Sequence, residues 1–286
     1  MKDILYNYFI LFLLAFIWGS SFILMKKGLA AYTDQQVAAL RLFIAFLTLL
    51  PFLFRAIKDV RKTQIIPLLI IGLFGNGLPA FLFTKAQTTL DSSFVGILNS
   101  LTPIFTLLVG IGIFGKKISS QKFIGVLIGL FGVIFLYFSS MKINEINYAI
   151  FLVVLATICY SISINVIKIY TTNLDAISIA SIAFAFIGPF AGIYLFSTDF
   201  LEIIVSDIGM QSFFYVCILA TVCTSFALVI FNGLIKKTTA IFASSVTYLI
   251  PLVALFWGLL DKETIKLFHL IGILIILQGV YLVTKE

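Results

Sequence analysis

Arg41 is the one charge well inside a long apolar run, about 9 Å below residue 35 at 1.5 Å per helical residue. If that run crosses a bilayer, a guanidinium there costs up to about 2.5–3.5 kcal/mol by insertion scales. Its useful chemistry is to grip a carboxylate or other anionic group through paired hydrogen bonds. Its structural alternative is to snorkel outward or to pair with Asp34 or Asp91. Polar side chains also recur at helical spacing: Asn76, Thr84 and Gln87; Thr157, Ser161, Asn165 and Lys168; Thr221, Ser225 and Asn232, with Thr224 beside them. A stripe of this kind lines a cavity or hydrogen-bonds one helix to the next. Trp18, Tyr160 and Tyr248 sit near the middle of their runs, away from the interfacial level that such rings favour, and suit stacking on a solute or core packing. Prolines at 79, 103, 189 and 251 free the carbonyls of Gly75, Asn99, Ala185 and Thr247. Trp18, Arg41, Asn76, Asn99, Tyr160, Asn165 and Tyr248 are thus the expected cavity residues, and Pro79, Pro103, Thr247 and Pro251 the expected hinge or gate positions.

Other chemistry has little to work with. Catalysis needs a clustered nucleophile, base or metal, and the chain has a single His, His269, and no Asp or Glu deep in an apolar run. No catalytic residue, metal site or cofactor is expected. Cys159, Cys217 and Cys223 all lie in apolar runs and read as buried thiols. The segment Gly110-Ile-Gly-Ile-Phe-Gly-Lys-Lys117 mimics a phosphate loop, but Lys117 stands where the magnesium-binding hydroxyl belongs and no strand precedes it.

The elements that must hold these residues follow from composition. Of 286 residues 62% are hydrophobic, 15% aromatic and 11% charged, against about 25% charged in an ordinary soluble domain. A soluble enzyme, a disordered chain and a disulfide scaffold are excluded, and runs that stay apolar on every side exclude an outer-membrane barrel. The net charge of +7 sits in short gaps between apolar runs, so no nucleic-acid partner is expected. Spans of about 20 residues are predicted at 4–25, 35–54, 65–86, 92–114, 121–140, 147–168, 176–196, 209–232, 240–260 and 267–284. The first is too long for a signal-peptide core, and no small-x-small cleavage site follows it. Twelve of the 19 Lys and Arg fall on the side that holds both termini and six on the other, which puts both termini in the cytoplasm.

The chain also matches itself. Ala15, Ser20, Lys27 and Asp34 fall on Ala156, Ser161, Lys168 and Asp175; Phe83 and Pro103 fall on Phe231 and Pro251; Gly125 and Gly132 fall on Gly272 and Gly279. Five spans per half is an odd number, so the second half enters from the opposite side. The expected fold is therefore an all-α integral membrane protein, ten transmembrane helices as two inverted five-helix repeats, 1–141 and 142–286, rocking about a central site.

The segment Phe16-Ile-Trp-Gly-Ser-Ser-Phe22, with Arg41 and the stretch leading to Leu101-Thr-Pro103 echoed at Leu249-Ile-Pro251, resembles the EamA-type members of the drug/metabolite transporter superfamily. The second half departs from the signature, with Cys159-Tyr160 in place of Trp18-Gly19 and Ile182 in place of Arg41. The resemblance implies a ten-helix secondary transporter in the plasma membrane (a bacterial inner membrane), often an exporter of amino acids or related compounds. A carrier or exchanger of nucleotide-like, sugar-like or lipid cargo is the alternative, and an integral-membrane enzyme a more distant one. The partners implied are a small-molecule substrate and the lipid bilayer, with monomer or homo-oligomer left open. The lack of an intramembrane carboxylate relay predicts facilitated transport or exchange rather than a carboxylate-based proton couple.

Cysteines placed singly at 61 and 117 should react only from the cytoplasmic side, and cysteines between 199 and 207 only from outside. Either terminus found outside would overturn the charge argument.

Overall fold

The computed structural model describes residues 2–115, 119–140, 148–264 and 266–284, and those residues are helical with short connections and no strand. Eight helical stretches are long and apolar enough to cross a membrane: Leu5–Gly28, Asp34–Asp59, Lys62–Ala86, Ser92–Gly112, Ala149–Tyr170, Ala176–Phe196, Asp207–Lys237 and Ala240–Leu260. Ten were expected. The fifth and tenth predicted runs form the helices Ser120–Ser140 and Leu267–Thr284, whose apolar cores among the described residues, Ser120–Gly132 and Leu267–Gly279, are shorter. Lys116, Lys117, Lys142 and the expected boundary between the halves lie outside the described residues.

Local chemistry sets the ends. Thr33 caps the Asp34–Ala56 helix through a reciprocal pair: its hydroxyl accepts from Gln36 N (3.2 Å), and Gln36 Oε1 accepts from Thr33 N (3.0 Å). Asp175, Ser206 and Thr239 cap three later helices with the single forward bond, accepting from Ser178 N, Gly209 N and Phe242 N. The helix beginning at Ser92 is different, because the side chain of its N-cap residue, Asp91, makes no capping bond.

Its cap comes from a distant part of the chain. Glu263 Oε1 accepts from Ser92 N (3.1 Å) and Ser92 Oγ (2.6 Å), and its Oε2 from Ser93 N (3.0 Å). Lys26 Nζ lies 2.7 Å from Glu263 Oε1 and 2.7 Å from Asp261, which also pairs with Lys27. Burial alone would raise the Glu263 pKa; the bonds from Lys26, Ser92 and Ser93 outweigh it and hold the carboxyl down at about 2. At the opposite end of the bundle the ammonium of Lys168 caps a helix C-terminus, donating to Ile235 O (3.1 Å), Lys236 O (3.2 Å) and Thr238 O.

Packing brings helices from the two halves together. Asp34–Ala56 lies along Ala176–Phe196, where a Cβ on Gly188 would meet Phe46 Cβ at 2.2 Å. Ser92–Asn99 meets Ile250–Leu260, with Gly96 set against Ala254. Ser120–Ser140 meets Leu267–Thr284, with the backbone of Gly129 against Gly279. Close backbone approach through small residues is the usual device where lipid supplies no hydrophobic drive between helices. The outer face is correspondingly apolar: Phe12, Phe54, Phe190 and Phe214 are all exposed.

Among the described residues four spans are interrupted. Leu73–Gly77 and Thr221–Phe226 are π-helical, and their first residues are 148 apart. Ser92–Gly112 breaks after Asn99 and resumes at Thr102 with Pro103 in its first turn; 148 residues on, Ala240–Leu260 passes through the 3-10 turn Ser245–Tyr248 and resumes at Ile250 with Pro251 in its first turn. Pro79 likewise opens the segment Leu78–Ala86 directly after the first π turn, whereas Pro189 sits inside an unbroken helix. The carbonyl of Asn99 does not stay free, since Thr102 Oγ1 donates to it at 2.8 Å.

A carboxyl that ordinarily titrates near 4.5 and is held at about 2 stabilises the fold fully above pH 4.5 and loses that contribution as the pH falls toward 2. Wild-type protein in detergent should therefore lose melting temperature between about pH 5 and 3. Glu263→Gln should melt lower at neutral pH and lose less on acidification. The same acid profile in both would contradict the clasp.

Candidate functional site

The interrupted helices meet around a small cavity at the centre of the bundle. Its wall includes five of the expected residues, Trp18, Arg41, Asn76, Asn99 and Tyr160, and also Thr247. Phe22, Phe83 and Phe231 make up much of the apolar remainder. The cavity measures about 80 Å³, room for several waters at about 10–15 Å³ of probe volume each. Ligand sites for drug-sized molecules run to about 300 Å³ or more, so this conformation is a nearly closed one.

The Arg41 side chain is the dominant feature. The residue is 9% exposed, and its Nε donates to Thr224 Oγ1 at 2.8 Å. Thr224 is committed to that role, because its own hydroxyl proton goes to Leu219 O (2.8 Å), a five-residue reach that the π turn creates. Tyr160 stands beside the same guanidinium. The expected partners are elsewhere: Asp34 pairs with Lys85 at 3.8 Å, and Asp91 stands beside Glu263. Among the described residues no carboxylate pairs with Arg41. A buried cation without a counter-charge is poised for an anion.

The rings are held as firmly as the charge. Trp18 Nε1 donates to Cys223 O (2.9 Å), and its ring meets Phe231 edge-on at 4.7 Å. Tyr160 stacks on Phe83 at 5.6 Å. Cys159 and Cys223 are buried and Cys217 half-buried.

Two expected cavity residues are placed otherwise. Asn165 is fully buried, and its amide donates to Thr106 O (3.0 Å) and Ser161 O (2.9 Å). With Ser161 donating to Thr102 O (3.1 Å), it stitches Ala149–Tyr170 to Thr102–Gly112. The polar stripe on that helix is thus a seam between helices, and the cavity instead takes Tyr160 and Ser163 from a neighbouring face. Tyr248 packs against the core from the 3-10 turn and is not in the cavity wall. Pro79, Pro103 and Pro251 mark the breaks near the wall without lining it, and Thr247 Oγ1 donates to Ser244 O at 2.9 Å. Sequence reasoning missed Ser163 and Ser244 in the wall, and it placed Asn232 on a polar face without assigning it to the cavity. Ser244 stands at a helix break, whereas Ser163 lies in the unbroken helix Ala149–Tyr170 and carries no such signal.

The profile of the EamA-like transporter family matches residues 5–138 and matches again over 147–285. The chain belongs to the EamA-like transporter family. Similar EamA relatives include the uncharacterized transporter YoaV of Bacillus subtilis, 26% identical over 94% of this chain and 93% of its own length. The uncharacterized inner membrane transporter YedA of Escherichia coli K12 is 24% identical over 96% and 89%. A Salmonella typhimurium protein named a probable amino-acid metabolite efflux pump is 24% identical over 96% and 93%. A solved structure, titled only as a protein crystal structure, superposes with a TM-score of 0.66 at 14% identity, covering 97% of this chain and 96% of that one, and so shares the fold.

Proposed function

We propose that this membrane transporter carries small carboxylate-bearing metabolites, amino acids foremost, outward across the inner membrane by alternating access. The observation that carries the reading is Arg41: a buried guanidinium on the cavity wall, anchored by Thr224 with Tyr160 beside it, and with no carboxylate pairing with it among the described residues. A substrate carboxylate supplies the missing charge, and the planar fork receives it in two hydrogen bonds. The efflux-pump name of the Salmonella relative points to the same cargo class.

The scaffold in this reading is two inverted five-helix halves, 1–141 and 142–286, ten spans in all with both termini cytoplasmic. The double family match and the 148-residue recurrence of the π turns and the proline breaks support it. A cavity of about 80 Å³ must widen before an amino acid fits, and the broken helices at Pro79, Pro103, Thr247 and Pro251 are where the halves flex. The Glu263 clasp joins residues 26, 92 and 93 of one half to 263 of the other. On the charge-derived orientation it closes the outer side and must part for release. Transport is by facilitated diffusion or exchange.

Arg41→Lys keeps the charge and loses the fork. In proteoliposomes loaded with labelled amino acids it should raise KM about tenfold, the cost of one charge-assisted hydrogen bond, and Arg41→Gln should raise it further. Unchanged amino-acid affinity in Arg41→Gln would make the residue structural and sink the substrate assignment.

A further inference from the structure

We infer that Asn76 is the second ligand of the substrate carboxylate, its amide N–H completing across the cavity the grip that Arg41 begins. The inference rests on the reading of Arg41 given above. It starts from an imbalance between two related turns. Thr224 and Asn76 are 148 residues apart, and each is the fourth residue of its π-helical turn, Thr221–Phe226 and Leu73–Gly77. A π turn inserts one residue and re-aims those that follow, and such turns cluster at functional sites.

The two turns pack alike. The first lies against the helices Ala149–Tyr170 and Ala176–Phe196, where a Cβ on Gly72 would meet Ala183 O at 2.5 Å and one on Gly75 would meet Ser163 Oγ at 2.4 Å. The second lies against Asp34–Ala56, where Ser225 Oγ donates to Ala45 O at 3.3 Å and Thr224 accepts from Arg41. Side chains at the two fourth positions therefore face corresponding helices.

What they meet there differs. Thr224 meets Arg41, whereas the residue that corresponds to Arg41 in the other half is Ile182, which offers no polar atom. Asn76 is left with a donor and no acceptor: it is 5% exposed, its Nδ2 has no hydrogen-bond partner, and it lines the same cavity as Arg41. A buried amide N–H left unpaired is costly. Its occupant must bring an acceptor, and a carboxylate whose two oxygens each accept one bond from the Arg41 fork keeps lone pairs to spare for a second donor. One mate thus positions the cation and the other contacts the anion directly, so the bound carboxylate reports to both halves at once.

The test uses the full chain in proteoliposomes, with labelled L-alanine, L-leucine and L-phenylalanine and their carboxamides as probes. Asn76→Asp is isosteric and replaces the N–H with a negative charge; Asn76→Ala removes the group without adding one. Both should raise KM for the amino acids about tenfold or more. Both should also erode the preference for free acid over amide, with kcat and melting temperature near wild type. Wild-type KM and preference in both variants, while Arg41→Gln loses affinity, would overturn the role of Asn76 and leave the transport reading intact. Wild-type KM in Arg41→Gln as well, or no flux of any of the three amino acids through the wild-type protein, would overturn both.

Discussion

A guanidinium held in a low-dielectric interior without a counter-ion constrains everything around it. Leaving one partner of a buried ion pair alone costs several kcal/mol, so the fold must supply dipoles for Arg41. It does so sparingly. One hydroxyl, Thr224, is turned into an acceptor because its proton is spent on Leu219 O, and one phenol, Tyr160, stacks on Phe83 to stay in reach. Neither neutralises the charge, and the carboxylate-bearing cargo proposed above rests on that.

The interrupted helices belong to the same constraint. A regular α-helix ties each hydroxyl to a carbonyl four residues back and leaves a smooth apolar wall. The π turns at Leu73–Gly77 and Thr221–Phe226, and the breaks before Pro103 and Pro251, expose polar side chains at mid-bundle without exposing backbone to lipid. Pro103 and Pro251 fall in the first turn of a new helix segment, where a missing N–H costs nothing. Far from this centre the halves are joined at one end by the carboxylates Asp261 and Glu263 and capped at the other by the ammonium of Lys168. The two ends are held by different chemistry.

The sequence made eight of the spans, the breaks at Pro79, Pro103 and Pro251 and the placement of Arg41 in an apolar run legible, because each rests on local rules: run length, a missing donor, one charge in an apolar stretch. It misled at Asn165, where helical spacing could not separate a seam from a cavity wall; both need polar residues four apart. The partner of Arg41 was also out of reach. Thr224 is 183 residues away, and only the π turn, which no residue pattern announces, aims it. The cap on Ser92 is a similar case, since Glu263 is 171 residues away and only the fold sets it 2.6 Å from Ser92 Oγ.

The central claim is that Arg41 is the seat of a substrate carboxylate, and a structure of the full chain soaked with the amino acid it transports best tests it most directly. The account predicts density for a carboxylate with its oxygens about 2.7–2.9 Å from the Arg41 guanidinium nitrogens, and a cavity wider than about 80 Å³. An amino acid bound with its carboxylate elsewhere, and Arg41 still held only by Thr224 and Tyr160, would contradict it.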